Sequence, residues 1–257
     1  MPKQRRIYIA IPSRTGEVKV ETCRAIIKGM TECAAEGWAI TLGESLECIA
    51  PISIARNLAV ARFLATDYDD LFFIDDDVAW ADGAMVRLLK APVDLVAGVY
   101  PRRYPDISFP VQWDTTKKEV WADPETGLIE VHGVATGFMR ISRAGVLKMV
   151  AHYKDDIYSQ AQAPGGKVHR LFDFALVPDE TGQVHEVHSE DYTFCDRWRA
   201  AGGKVWIDPH ITFMHLGVAA FSGNVGEWLR DRSITSAMRH SGDKPRVVAV
   251  PLVGSAA

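Results

Sequence analysis

The chain has 257 residues, 47% of them hydrophobic and 24% charged, enough apolar material for one large domain and too much for a disordered segment. A formal net charge of -4 excludes a general pull towards nucleic acid or anionic membrane, though a local basic patch stays possible. No apolar stretch approaches the roughly 20 residues of a membrane span, and Met1 to Arg6 leads into a strand rather than a signal-peptide segment, so a soluble, cytoplasmic protein is expected.

Arg6 to Pro12 (RIYIAIP) predicts a buried first strand, followed by the turn Ser13-Arg14-Thr15-Gly16. Val20 to Glu36 is compatible with a helix, with Gly37 as its C-terminal stop, and Trp38 to Leu42 can be the second strand. From Ile52, Ile54, Leu58, Ala61 and Ala65 form one apolar helical stripe. Arg56 and Asn57 fall in its first turn. A cation there opposes the macrodipole, so Arg56 either faces solvent or serves something other than helix stability.

Leu71-Phe72-Phe73-Ile74 reads as a strand buried on both faces, and Asp75-Asp76-Asp77 stand at its carboxyl end, where open α/β sheets bind ligands. Three adjacent like charges repel unless solvent or a cation offsets them. Two readings stand: a solvated acidic turn before a helix beginning near Asp82, or a site for a hard divalent ion such as Mg²⁺ or Mn²⁺. A helix over Gly83 to Lys90 and a strand over Val93 to Tyr100 complete a βα alternation that predicts a mostly parallel sheet with helices on both faces.

Pro101 to His132 breaks this pattern with short β-like pieces (SFPVQWD, KEVWAD, GLIEVH), expected as a small antiparallel insertion. The loop Gly133-Val134-Ala135-Thr136-Gly137 feeds a strand and then a helix from Arg143 to about His152. It lacks the spacings of dinucleotide and P-loop sites, and either packs a tight turn or lets backbone approach a ligand. Asp155 to Lys167 is expected to be a mobile loop. Ser189-Glu190-Asp191 opens a helix with Phe194, Trp198 and Ala201 as its buried stripe. Its carboxylates are either capping groups favoured by the dipole or a general base facing a cleft. A strand over Lys204 to Asp208 precedes His215. His185 and His188 receive no role. Cys23, Cys33, Cys48 and Cys195 lack zinc spacing and are expected to be reduced thiols.

Taken together, strand-DDD, a Gly-containing loop, SED at a helix start and a late His resemble the GT-A nucleotide-sugar glycosyltransferases. Those share a DxD metal motif, a glycine-rich loop, an xED motif and a C-terminal His. ISIARN also looks like the Ala-Arg-Asn helix start of glycosyltransferase family 2. The resemblance implies a GT-A domain over 1–217, its nucleotide-sugar half about 1–100 and acceptor half about 101–217, with 218–257 a tail of uncertain role. It implies Mn²⁺ or Mg²⁺ held by Asp77 and His215, with Asp75 on ribose or metal-bound water and Asp76 behind it. Pro12, Ser13, Arg14, Thr15, Arg56 and Asn57 would hold the nucleotide sugar. Asp191, or next to it Glu190, would take the acceptor's proton in an inverting displacement, with Gly133, Thr136, Gly137 and Trp113 on the acceptor side.

Two other classes fit clustered aspartates: a metal-dependent nucleotidyltransferase or phosphoryl-transfer enzyme, and a non-catalytic nucleotide-sugar-binding module. The acceptor is either a glycan or small hydroxyl compound or a 5-hydroxymethyl-pyrimidine in DNA, as in phage-type DNA glycosyltransferases. For DNA the relevant residues are Arg102, Arg103, Lys117, Lys118, Arg230, Arg232, Arg239, Lys244 and Arg246, with Tyr100, Tyr104 and Trp113 as stacking faces.

Overall fold

Successive residues of a strand point to opposite faces, and here both faces are apolar. Ile7, Ile9, Phe72, Ile74 and Val96 face one core, while Tyr8, Ala10, Leu71, Phe73, Leu95 and Ala97 face another. Such strands are stable only when helices cover both sides. The computed structural model describes residues 4–44, 46–47, 49–104, 106–117, 119–178, 181–182, 185–235 and 246–249.

The central sheet contains β1 (Arg6–Ala10), β2 (Ala39–Leu42), β3 (Asp70–Ile74), β4 (Leu95–Gly98), β5 (Ile129–Val131), β6 (Phe138–Ser142) and β7 (Val205–Asp208). Their spatial order is β5-β7-β4-β6-β3-β1-β2. β1 pairs in parallel with β2 and β3, and β4 with β7. β6 runs antiparallel between β3 and β4, and β5 is antiparallel to β7. The protein is therefore a mixed α/β structure. Helices α1 (Val20–Ala35) and α3 (Ala84–Lys90) cover one face, and α2 (Ile52–Leu64), α4 (Arg143–His152) and α5 (Glu190–Ala200) the other.

Local chemistry explains two of the helix ends. α1 stops at Gly37, whose φ of 78° suits a residue without a Cβ. The Ser142 side chain caps α4 by accepting from the Gly145 N–H at 3.0 Å. α2 departs from the expected single stripe. Ser53, Ala55, Arg56, Asn57, Leu58, Ala59, Val60 and Phe63 are all buried, while Ala65 is exposed at the C-cap. Since the helix begins at Ile52, Arg56 sits just past its first turn.

Beyond these elements the structure adds detail. The pieces between Pro101 and His132, expected as a small antiparallel insertion, are partly joined to the central sheet, since Ile129–Val131 completes its edge antiparallel to β7. Val111–Gln112 pairs with Gly133–Val134, and Glu119–Trp121 with Arg246–Ala249. The expected loop at Asp155 to Lys167 holds a strand, Ile157–Ser159, paired antiparallel with Lys167–His169. After 217, Ala220–Asn224 pairs back onto Thr212–Leu216, and α6 (Val225–Thr235) follows with Val225 and Leu229 buried. Cys33 and Cys195 are buried, and burial first of all pushes both thiols up to about 12. Cys48 lies outside the described residues. No helix among the described residues is long and apolar enough to cross a membrane.

Asn57 ties α2 to the following layer. Its Oδ1 accepts from the Leu171 and Phe172 N–H groups at 3.0 and 2.8 Å, and its Nδ2 donates to the Phe172 carbonyl at 2.9 Å. At 2% exposure, it spends its amide on this segment rather than on a cleft. Asn57→Ala should strand buried backbone groups at about 1–3 kcal/mol each. A urea titration should show the loss; an unchanged midpoint would contradict this role.

Candidate active site

The acidic triplet leaves β3 at Ile74 and enters a short strand, Val78–Trp80, which pairs antiparallel with Thr212–Leu216. That register sets His215 opposite Val78, and the Leu216 N–H donates to the Asp77 carbonyl at 2.8 Å. His215 Nε2 thus lies 3.5 Å from Asp77 Oδ1. The other ring nitrogen, Nδ1, lies 2.8 Å from the Pro101 carbonyl oxygen. A carbonyl only accepts, so Nδ1 carries the hydrogen, and in the neutral ring Nε2 presents a lone pair to the carboxylate.

Two facing acceptors need a proton or a cation between them. An imidazole fixed through its far nitrogen beside a carboxylate is a donor set suited to a divalent ion. Among the described residues no group of three or more His, Cys, Asp or Glu forms a ready metal cage. Phosphate oxygens and water would have to complete the shell, as is usual for Mg²⁺. Burial works against ionisation of Asp77, but when His215 is also protonated at Nε2 its hydrogen bond and charge, together with the Arg103 charge, outweigh it and hold the carboxyl below its ordinary range. Asp76 is displaced the other way, by burial first and then by its two acidic neighbours, with the Ser13 hydroxyl partly offsetting them.

The centre of the site is Arg56. Its guanidinium, 2% exposed, donates to Asp75 Oδ1 at 3.2 Å and to Glu190 Oε1 at 2.8 Å, and also pairs with Asp191. The DDD and SED motifs, far apart in sequence, meet on one buried cation. Below it lies the Phe172 ring, 6.0 Å from the guanidinium carbon and stacked on Phe194 at 4.2 Å. Asp75 Oδ2 accepts from the Tyr100 hydroxyl at 3.0 Å. Burial and then the Asp75 charge push the Tyr100 hydroxyl well above its ordinary value, so it stays a donor. Gly137 makes room for this arrangement: a Cβ there would fall 2.1 Å from Asp75 Oδ2 and 2.4 Å from the Tyr100 oxygen. Its carbonyl accepts from the Asp75 N–H at 2.8 Å.

Ser189 occupies the N-cap of α5 without a side-chain capping bond, and the carboxylates that follow it turn to Arg56. Glu190 is buried and its Oε1 accepts from Arg56, while Asp191 is partly exposed and pairs with Arg56 through Oδ1. Pro12 and Ser13 are buried, with Ser13 beside Asp76, while Arg14 and Thr15 are exposed. Thr136 is buried, and its hydroxyl has no hydrogen-bond partner among the described residues. Gly133 packs against Gln112 and Tyr192 of α5.

Trp113 is the outlier, since it lines a groove with Trp121 and Trp206 that includes none of these carboxylates. Two of the residues weighed for DNA belong to the site instead. Tyr100 is 5% exposed, too buried to stack on a base, and Arg103 Nη1 donates to Asp77 Oδ2 at 2.8 Å. Their spacing from the DDD strand carries no signal of these contacts. Lys117 pairs with Asp114 at 3.2 Å. Lys118, Arg239 and Lys244 lie outside the described residues, as do the side chains of Arg232 and Arg246.

The position of Arg56 adds a structural duty to the donor contact that the resemblance implies. Arg56→Ala leaves three carboxylates around an emptied position, and breaking a buried ionic cluster costs about 3–5 kcal/mol. Denaturant melts should show a loss of that order, with Arg56→Lys intermediate because an ammonium lacks the planar fork. A melt unchanged in Arg56→Ala would show that the carboxylates do not depend on it.

No protein-family model matches the chain, and no curated protein matches it. The crystal structure of A197 from STIV superposes with a TM-score of 0.47 at 18% identity, covering 83% of this chain and 86% of that one.

Proposed function

We propose that the chain is a cytoplasmic, metal-dependent glycosyltransferase that moves a sugar from a nucleoside-diphosphate sugar to an acceptor hydroxyl. The observation that carries this reading is the meeting of Asp75, Glu190 and Asp191 on Arg56, with the Asp77–His215 pair at the same end of β3. The helices on both faces and the carboxyl-end position of the triplet support a GT-A type of fold.

Asp77 and His215 would hold the divalent ion, whose chemistry is Lewis-acid stabilisation of the charge gathering on the leaving diphosphate. Asp191 accepts the proton of the acceptor hydroxyl while that oxygen forms a bond to sugar C1. The bond from C1 to the diphosphate oxygen breaks on the opposite face, its electron pair leaves with the diphosphate, and the configuration inverts. Arg56 holds Asp191 and Asp75 in fixed relation through this step, and Tyr100 keeps Asp75 oriented. The acceptor in this reading is either a glycan or small hydroxyl compound or a 5-hydroxymethyl-pyrimidine in DNA, and the Arg103–Asp77 and Lys117–Asp114 pairs, both with exposed cations, leave that choice to experiment.

Transfer should be tested over a panel of nucleotide sugars, with glycans and with 5-hydroxymethyl-pyrimidine DNA. EDTA should abolish transfer and Mn²⁺ or Mg²⁺ restore it; full activity in chelator would refute the metal assignment. Asp191→Asn keeps the shape but removes the base, so the transfer rate at saturating substrates should fall roughly 10²- to 10⁴-fold. Donor affinity measured alongside should barely move. A near-normal rate would remove Asp191 from the chemistry.

A further inference from the structure

Arg103 sits on the exposed side of the Asp77–His215 pair. Only Nη1 of its guanidinium is engaged, at 2.8 Å from Asp77 Oδ2 and 3.1 Å from the Leu216 carbonyl oxygen. Among the described residues Nη2 and Nε have no partner, although the side chain is 46% exposed and reaches a carboxylate that is 17% exposed. The segment bearing it is held firmly. The Pro101 carbonyl oxygen lies 2.8 Å from His215 Nδ1, and the Arg102 N–H donates to the Ser108 carbonyl at 2.7 Å. One strap therefore orients the imidazole and lays a guanidinium across Asp77.

A planar guanidinium with one nitrogen anchored and an edge open to solvent is matched to two oxygens of a phosphate group. The neighbourhood needs the charge as well: Asp75, Asp76 and Asp77 are adjacent, and Arg56 is already committed to Asp75, Glu190 and Asp191. We infer that Arg103 is a diphosphate-binding residue, its open edge taking the donor's phosphate oxygens while Nη1 stays on Asp77. This inference rests on the nucleotide-sugar reading of the site. It gives Arg103 a second contribution, neutralising charge on the diphosphate as the sugar departs.

Isothermal titration with UDP, GDP, ADP and CDP, and with the matching nucleosides, separates the possibilities when run with and without Mn²⁺. Arg103→Ala should weaken binding of the preferred diphosphate roughly 10- to 100-fold and leave the nucleoside's affinity unchanged, with Arg103→Lys recovering part of the loss. Melting curves should show both variants folded. If the wild-type protein binds a diphosphate and Arg103→Ala binds it equally well, the assignment of Arg103 fails while the nucleotide site stands. If the wild-type protein binds none of the diphosphates, the nucleotide reading fails and the role of Arg103 with it.

Discussion

A guanidinium removed from water is tolerated only when its charge and its N–H groups are met. Arg56 meets that condition through Asp75, Glu190 and Asp191, which come from the end of β3 and the first turn of α5. The dependence is mutual. Without the cation, carboxylates from two elements would face one another in a half-buried space. Without the carboxylates, α2 would carry an uncompensated charge on its buried side. The neighbouring Asn57 extends the same constraint, because it fixes the backbone of Phe172, whose ring lies under Arg56 and against Phe194. Two consecutive residues of α2 thereby set the distance between the acidic strand end and the helix bearing Asp191.

The antiparallel strand β6 has a consequence that a wholly parallel sheet would lack. It begins where β3 ends, so Gly137 lies at the carboxyl end of β3 and its carbonyl receives the Asp75 N–H. Any side chain at that position would collide with Asp75 and Tyr100. The second antiparallel contact, between Val78–Trp80 and Thr212–Leu216, does the equivalent work for Asp77 by placing His215 beside it. Two strand registers therefore position the two outer aspartates of the triplet.

The two cations differ in a way that divides the site. Arg56 is buried and engages three carboxylates, so its half is a fixed scaffold. Arg103 is exposed and engages one carboxylate with part of its fork. Exposed ion pairs are weakly held and readily share their partners. In the proposed reaction, the donor would enter and leave on the Arg103 side and the base would be held on the Arg56 side.

Local pattern was enough for β1, α1, α3 and α4, for the buried acidic strand, and for the Gly37 stop, because periodicity and capping act between residues close in sequence. The order DDD, Gly-containing loop, SED and His was also legible, as was the ambiguity of Arg56, a cation near a helix start. Tertiary structure alone decided what Arg56 touches, and it gave Asn57 a backbone-anchoring task. It also buried Tyr100 against Asp75, turned Arg103 from a surface cation into a partner of Asp77, and sent Trp113 to another groove. Each of these outcomes depends on strand order, register and helix docking, interactions between residues tens to more than a hundred positions apart. A local pattern records which residues can bury or ionise; which of them meet is settled only when the sheet is assembled.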